Sequence, residues 1–175
     1  IDPVDPDVIF SVNDDGVYRS ANFGQSFIDV GAGLQTGQLY KGFGVSTTDS
    51  NLAIVQSQDH IPGYLYTGGT SWPLSAVDEA GWTAVDPWND NNMYAIDRFG
   101  GNIYKSTDRG VSFNWLTSFA AGAWNTPVVV AASNPQHVIV ATSIVYRSTT
   151  GTNPFNDISG GLLDGGNQAL CIGMP

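Results

Sequence analysis

A short pattern recurs along this chain at one fixed step, and few folds tolerate that. Val17-Tyr18-Arg19-Ser20-Ala21-Asn22-Phe23-Gly24-Gln25-Ser26-Phe27 returns as Ile103-Tyr104-Lys105-Ser106-Thr107-Asp108-Arg109-Gly110-Val111-Ser112-Phe113. It returns again as Val145-Tyr146-Arg147-Ser148-Thr149-Thr150-Gly151 through Phe155. The tyrosines at 18, 104 and 146 are separated by two steps and then one step of about 43 residues. A degenerate copy is therefore expected near position 61. Tyr64-Leu65-Tyr66-Thr67-Gly68-Gly69-Thr70-Ser71-Trp72 supplies its aromatics, its Gly-rich turn and its closing aromatic. Asp29-Val30-Gly31-Ala32-Gly33-Leu34 recurs in the same way as Asp157-Ile158-Ser159-Gly160-Gly161-Leu162.

A turn and an apolar run precede each copy. Ile1-Asp2-Pro3 leads to Val8-Ile9-Phe10, and Thr48-Asp49-Ser50 leads to Leu52-Ala53-Ile54-Val55. Val85-Asp86-Pro87 leads to Met93-Tyr94-Ala95-Ile96, and Ser133-Asn134-Pro135 leads to Val138-Ile139-Val140. Each unit thus reads as four short strands, which is the blade of a β-propeller. The predicted fold is all-β, with about four antiparallel blades of four strands over 1–38, 39–80, 81–121 and 122–165. Residues 166–175 are expected to supply the first strand of a further blade or to close a ring, with Ala169 to Ile172 pairing to a neighbouring sheet. The first unit retains only the end of its first strand, which fits either a closed four-bladed ring or a segment of a larger propeller; the segment is the expectation, because propellers of this repeat type usually have more than four blades.

Composition excludes the main alternatives. Fifteen of the 16 acidic residues are Asp, Glu79 is the one Glu, and Lys41 and Lys105 are the two lysines. Helix surfaces are normally built from Glu, Lys and similar straight side chains, so a helical bundle is excluded. The 21 Gly and 9 Pro suit turns between strands, and a 42% hydrophobic content suffices for a core. A net charge of -10 with six basic residues cannot track a phosphate backbone, so nucleic acid is not an expected partner. An anionic membrane surface is disfavoured for the same reason, and no apolar run reaches the length of a membrane span. The single Cys171 can form neither an internal disulfide nor a cysteine metal site.

Ser106-Thr107-Asp108-Arg109-Gly110-Val111-Ser112-Phe113 fits Ser-x-Asp-x-Gly-x-x-aromatic at every fixed position. Ser20 to Phe27 fits with Asn22 for Asp and Gly24 in place, and Ser148 to Phe155 has Thr150 at the Asp position and its Gly displaced by one. The pattern resembles the BNR/Asp-box repeats of sialidase-like, xyloglucanase-like and sortilin-like propellers. Residues 38 to 110 resemble, more narrowly, large secreted bacterial BNR-repeat surface proteins. There a Gln-Asp-Asn-Gly turn occurs where this chain has Gln58-Asp59-His60-Ile61. The resemblance implies a structural box. Ser106, Asp108, Gly110 and Phe113, with Ser20, Asn22, Gly24 and Phe27, would hold the turn between the last two strands of a blade. It also implies export to the cell surface or medium of a bacterium.

Candidate chemistry is sparse. A sialidase needs three clustered arginines, but Arg19 and Arg147 share a repeat position and Arg109 lies inside a box, leaving Arg98. A glycosidase needs two opposed carboxylates, for which Asp59, Asp78, Glu79 and Asp97 are candidates outside the boxes. His60 and His137 are too isolated for zinc. The Asn13-Asp14-Asp15-Gly16 and Asn89-Asp90-Asn91-Asn92 turns have oxygens suited to Ca²⁺ but lack a full ligand ladder, and turn chemistry accounts for them. No metal and no cofactor is expected. Trp72 and Trp115 are expected in the core, as closing aromatics. Trp82 and Trp88 flank the Asp86-Pro87 turn and, with His60, are candidates for stacking on and hydrogen bonding to a sugar. The expected function is a non-catalytic surface for adhesion, assembly or glycan binding. Its partner would be a glycan, another surface protein or further blades. The alternative is part of an Asp-box glycoside hydrolase acting on a polysaccharide.

Overall fold

The structure is a computed structural model that describes residues 2–13, 16–32, 39, 42–58, 63–73, 75, 81–97, 101–119, 126–163, 167, 169 and 171–173. The chain forms two compact units, Ile1–Gln38 and Leu39–Pro175. The first holds one antiparallel sheet of β1 (Ile9–Asn13), β2 (Gly16–Ser20) and β3 (Ile28–Asp29). The second holds three sheets. The first of them runs β4 (Gly44–Val45), β5 (Ala53–Val55), β6 (Tyr64–Tyr66). The next runs β7 (Thr83–Val85), β8 (Met93–Ile96), β9 (Asn102–Ser106), β10 (Asn114–Ser118). The last runs β11 (Val128–Val130), β12 (Val138–Ala141), β13 (Val145–Ser148), β14 (Asn156–Asp157). Among the described residues no helix is long and apolar enough to cross a membrane.

The sheet sequences explain how the blades stack. Met93-Tyr94-Ala95-Ile96 is buried throughout, because β8 is covered on both faces. Met93 faces one way and packs with Leu52, Ile54, Leu65 and Val85, against the β4–β6 sheet. Tyr94 and Ile96 face the other way and pack with Ile103, Val128, Val138 and Val140, against the β11–β14 sheet. Each such side chain contributes roughly 1.5–3 kcal/mol on burial. Polar clasps fix the order of the sheets. Ser75 Oγ donates to the Gly110 carbonyl at 3.0 Å, from the β4–β6 sheet to the next. Tyr94 Oη and Lys105 Nζ donate to the Gly151 carbonyl at 2.9 and 3.0 Å, one sheet further on. Desolvation pushes the Tyr94 phenol up and the Lys105 ammonium down from their ordinary values.

The three repeated turns are each centred on a buried serine, and the two at Ser20 and Ser106 share one hydrogen-bond plan. Ser106 Oγ accepts from the Asp108 and Gly110 amides at 3.2 and 2.9 Å, and Ser20 Oγ accepts from Asn22 and Gly24 at the same distances. The acid or amide two places on accepts the amide of the second serine, Ser112 to Asp108 at 2.9 Å and Ser26 to Asn22 at 3.0 Å. The intervening residue is left-handed, with φ 66° at Arg109 and 58° at Phe23. In the third copy that place is Gly151, at φ 68°, which accounts for its displaced glycine. Pro154 replaces the second serine there and has no N–H to offer, so Thr150 need not be an acid.

The box divides its work between two side chains, and one expectation, the fourth strand of the degenerate copy, changes. Asp108 does not carry the buried turn amide. Ser106 does, with a side chain fully enclosed beside the buried Gly110, while Asp108 satisfies an exposed amide. The degenerate copy keeps its hairpin, through Leu65 N–H to the Pro73 carbonyl at 2.9 Å and Ser75 N–H to Gly63 at 2.6 Å. It forms no fourth strand among the described residues, since Pro73 cannot donate to a ladder. Of the terminal segment, residues 167, 169 and 171–173 are described and none is in a strand; Ala169 N–H makes one bond, to the Thr142 carbonyl at 3.0 Å.

Asp108 predicts an acid response. The Ser112 hydroxyl and amide, then the Ser106 hydroxyl, lower its carboxyl from an ordinary 3.8 to about 2. A depressed folded-state value contributes stability above the ordinary value and loses it as pH falls through the folded one. The wild-type unfolding midpoint should therefore drop more steeply between pH 3.8 and about 2 than that of Asp108→Asn. Matching acid profiles for the two proteins would remove this role from Asp108.

Candidate functional site

Strands β4, β7 and β11 lie side by side and line a shallow, open hollow of about 230 Å³. Its walls come from Phe43, Val45, Trp82, Thr83 and the Val128-Val129-Val130 run. Thr83 ties the first two sheets together. Its Oγ1 donates toward the Gly42 carbonyl at 2.6 Å and the Ile54 carbonyl at 3.0 Å, and accepts from Gly44 N–H at 3.0 Å. Trp82 is half-buried, with its indole laid on the Gly42 backbone. A Cβ at Gly42 would fall 2.2 Å from the Trp82 Cγ.

Four of the described carboxylates outside the boxes are committed to structure. Asp97 is 6% exposed and caps the β8–β9 turn, accepting from the Gly101 and Asn102 amides and from Asn102 Nδ2. Asp86, 5% exposed, accepts from the Trp88 and Asn89 amides and from Asn92 Nδ2. Asp90 takes the Ser46 hydroxyl at 2.6 Å and the Thr48 hydroxyl at 2.7 Å, so its turn is a clasp between sheets. Asp49 pairs with Arg109 across the same seam. Asp59, His60, Asp78 and Glu79 lie outside the described residues, as do Arg98 and the middle of the Asn13–Gly16 turn.

The tryptophans are distributed differently from the expectation. Trp88 is 65% exposed on the β7–β8 turn, and Trp82 is half-buried. Trp72 and Trp115, expected in the core, are 38% and 60% exposed. Trp72 stacks on Tyr66 at 4.9 Å between ring centres, at the open end of a sheet with three described strands. Trp115 lies on the edge strand β10. A signal for Trp115 was available in the repeat: the corresponding places in the other strong copies are Asp29 and Asp157, each capping its own turn. Sequence reasoning also missed the Thr83 and Asp90 clasps, which join residues about 40 apart.

No protein-family model matches the chain. A xyloglucanase of Hypocrea jecorina (strain QM6a) is 35% identical over 92 residues, covering 48% of this chain and 11% of that protein. The GH74 enzyme of Niastella koreensis superposes with a TM-score of 0.55 at 19% identity, over 87% of this chain and 22% of its own. An auxiliary nutrient binding protein of Bacteroides thetaiotaomicron superposes with a TM-score of 0.56 at 13% identity, over 98% of this chain and 42% of its own. The chain therefore spans well under half the length of each of these proteins. At these identities the solved structures speak to architecture: the chain has the all-β, antiparallel-bladed fold of a β-propeller.

Proposed function

We propose that this chain is part of a secreted bacterial propeller of the BNR/Asp-box kind that binds neutral glycans without cleaving them. The commitment of four described carboxylates supports this reading. Asp49, Asp86, Asp90 and Asp97 all spend oxygens on turn amides or sheet clasps, whereas a glycosidase needs two acids free to face a bond. The xyloglucanase likeness supports a glycan as the ligand class. A net charge of -10 favours a neutral polymer over an anionic one.

The likeness to a xyloglucanase also favours a second reading, in which the chain contributes blades to a hydrolase. Asp59, Asp78 and Glu79 would then be the first acids to test. Affinity electrophoresis of the whole chain in xyloglucan, mixed-linkage glucan and polygalacturonate, with a parallel assay for new reducing ends, separates the two. The expected result is retardation by a neutral glucan with no reducing ends released. Release abolished by Asp59→Asn or Asp78→Asn would establish the hydrolase, and mobility unchanged in every gel would end the glycan reading.

A further inference from the structure

We infer that Trp115 is a built sugar-stacking platform on the edge strand β10 of its blade, a different element from the Trp88 turn. The inference rests on the glycan-binding reading and gives it a location. Trp115 stands opposite Tyr104 of β9, and Ser118 opposite Asn102, so these four residues share one sheet face. An exposed tryptophan ordinarily has nothing to hold it. Here the indole Nε1–H donates to Ser118 Oγ at 3.2 Å, and Ser118 Oγ donates to Asn102 Oδ1. Asn102 Nδ2 in turn donates to Asp97, which is buried and further fixed by two backbone amides. The relay runs from the blade interior to an aromatic ring that is 60% exposed.

This arrangement selects a class of ligand. The indole N–H is already used, so the ring offers a ligand its π face. An immobilised aromatic face beside hydroxyl and amide groups fits the C–H face of a pyranose, with Ser118 and Asn102 at the rim for its hydroxyls. No cation is supplied by this strand pair: Lys105 points to the Gly151 carbonyl, and Arg109 is paired with Asp49. A neutral hexose polymer is therefore the ligand, and a uronic acid polymer is not. The repeat points the same way, because the equivalent places hold turn-capping aspartates and only this blade puts an aromatic there among the strong copies.

The test uses the whole chain and calorimetric titration with xyloglucan oligosaccharides and cello-oligosaccharides. Trp115→Ala should weaken binding about tenfold, and Trp115→Phe should recover part of it. Ser118→Ala should weaken binding less, with an unchanged thermal midpoint, because it frees the ring without removing it. Melting of Trp115→Ala should match the parent, since the side chain is exposed. Parent-like affinity in Trp115→Ala, with the loss appearing in Trp88→Ala instead, would overturn this site and leave the glycan-binding function standing. A parent chain that binds neither oligosaccharide would overturn both.

Discussion

Gly81→Ala is expected to unfold the Leu39–Pro175 unit or to cost it roughly 3 kcal/mol or more, at the upper end of overpacking changes. Gly81 is buried at the entry to β7, where the chain runs against the end of β8. A Cβ there would come 1.6 Å from the Ile96 carbonyl oxygen and 2.6 Å from its carbon. Both are backbone atoms, so no side chain can rotate aside. The only relief is to separate β7 from β8. That would strain the bond from Ile96 N–H to the Trp82 carbonyl at 3.0 Å and lift Trp82 from its packing against the core of the blade pair. Domains are stable by only about 5–15 kcal/mol, so one such change consumes a large share. Chemical denaturation of the variant should show a much lower midpoint or no cooperative transition. A midpoint within 0.5 kcal/mol of the parent, on the order of an ordinary surface change, would mean that the β7–β8 approach is looser than this geometry.

The second large effect is expected at Ser106, and its contrast with Asp108 is the informative part. Ser106→Ala removes the acceptor for the buried Gly110 N–H, bonded at 2.9 Å, and leaves that donor without water. A buried donor left unsatisfied costs about 1–3 kcal/mol. The loss is not confined to one turn. Gly110 packs against Leu65 and Met93, and its carbonyl receives Ser75 from the neighbouring sheet. Asp108→Asn should be close to silent near neutral pH, because Asn22 performs the same task in the first unit. Its Oδ1 accepts the Ser26 amide at 3.0 Å, and its Nδ2 donates to Ser26 Oγ at 2.9 Å. Ser106→Thr keeps the hydroxyl and should recover part of the loss if the enclosed site admits a methyl. Thermal melts of the Ala and Asn variants check the order. A parent-like Ser106→Ala beside a strongly destabilised Asp108→Asn would return the central role to the acid.

What was legible in the sequence is what repeats. The step of about 43 residues, the Tyr and Gly landmarks and the Asp-Pro turns are local, so they survive reading in one dimension, and they led to strands in all four sheets. Alternation along β8 is invisible because both of its faces are covered, yet the buried run Met93-Tyr94-Ala95-Ile96 still reads as a central strand. The turn motif is legible as well, but the division of work inside it is not. A charged Asp108 is conspicuous in a sequence and Ser106 is not, but burial decides which hydrogen bond costs more to lose.

Tertiary structure alone decided the fate of the individual side chains. Asp97 and Trp115 are 18 residues apart, and in the sequence one reads as an acid candidate and the other as a core residue. Folding β9 between them makes one the buried anchor and the other the exposed end of a single relay. Trp115 lies on the edge strand β10. Solvent exposure is set by which surfaces meet and not by the residues that carry them.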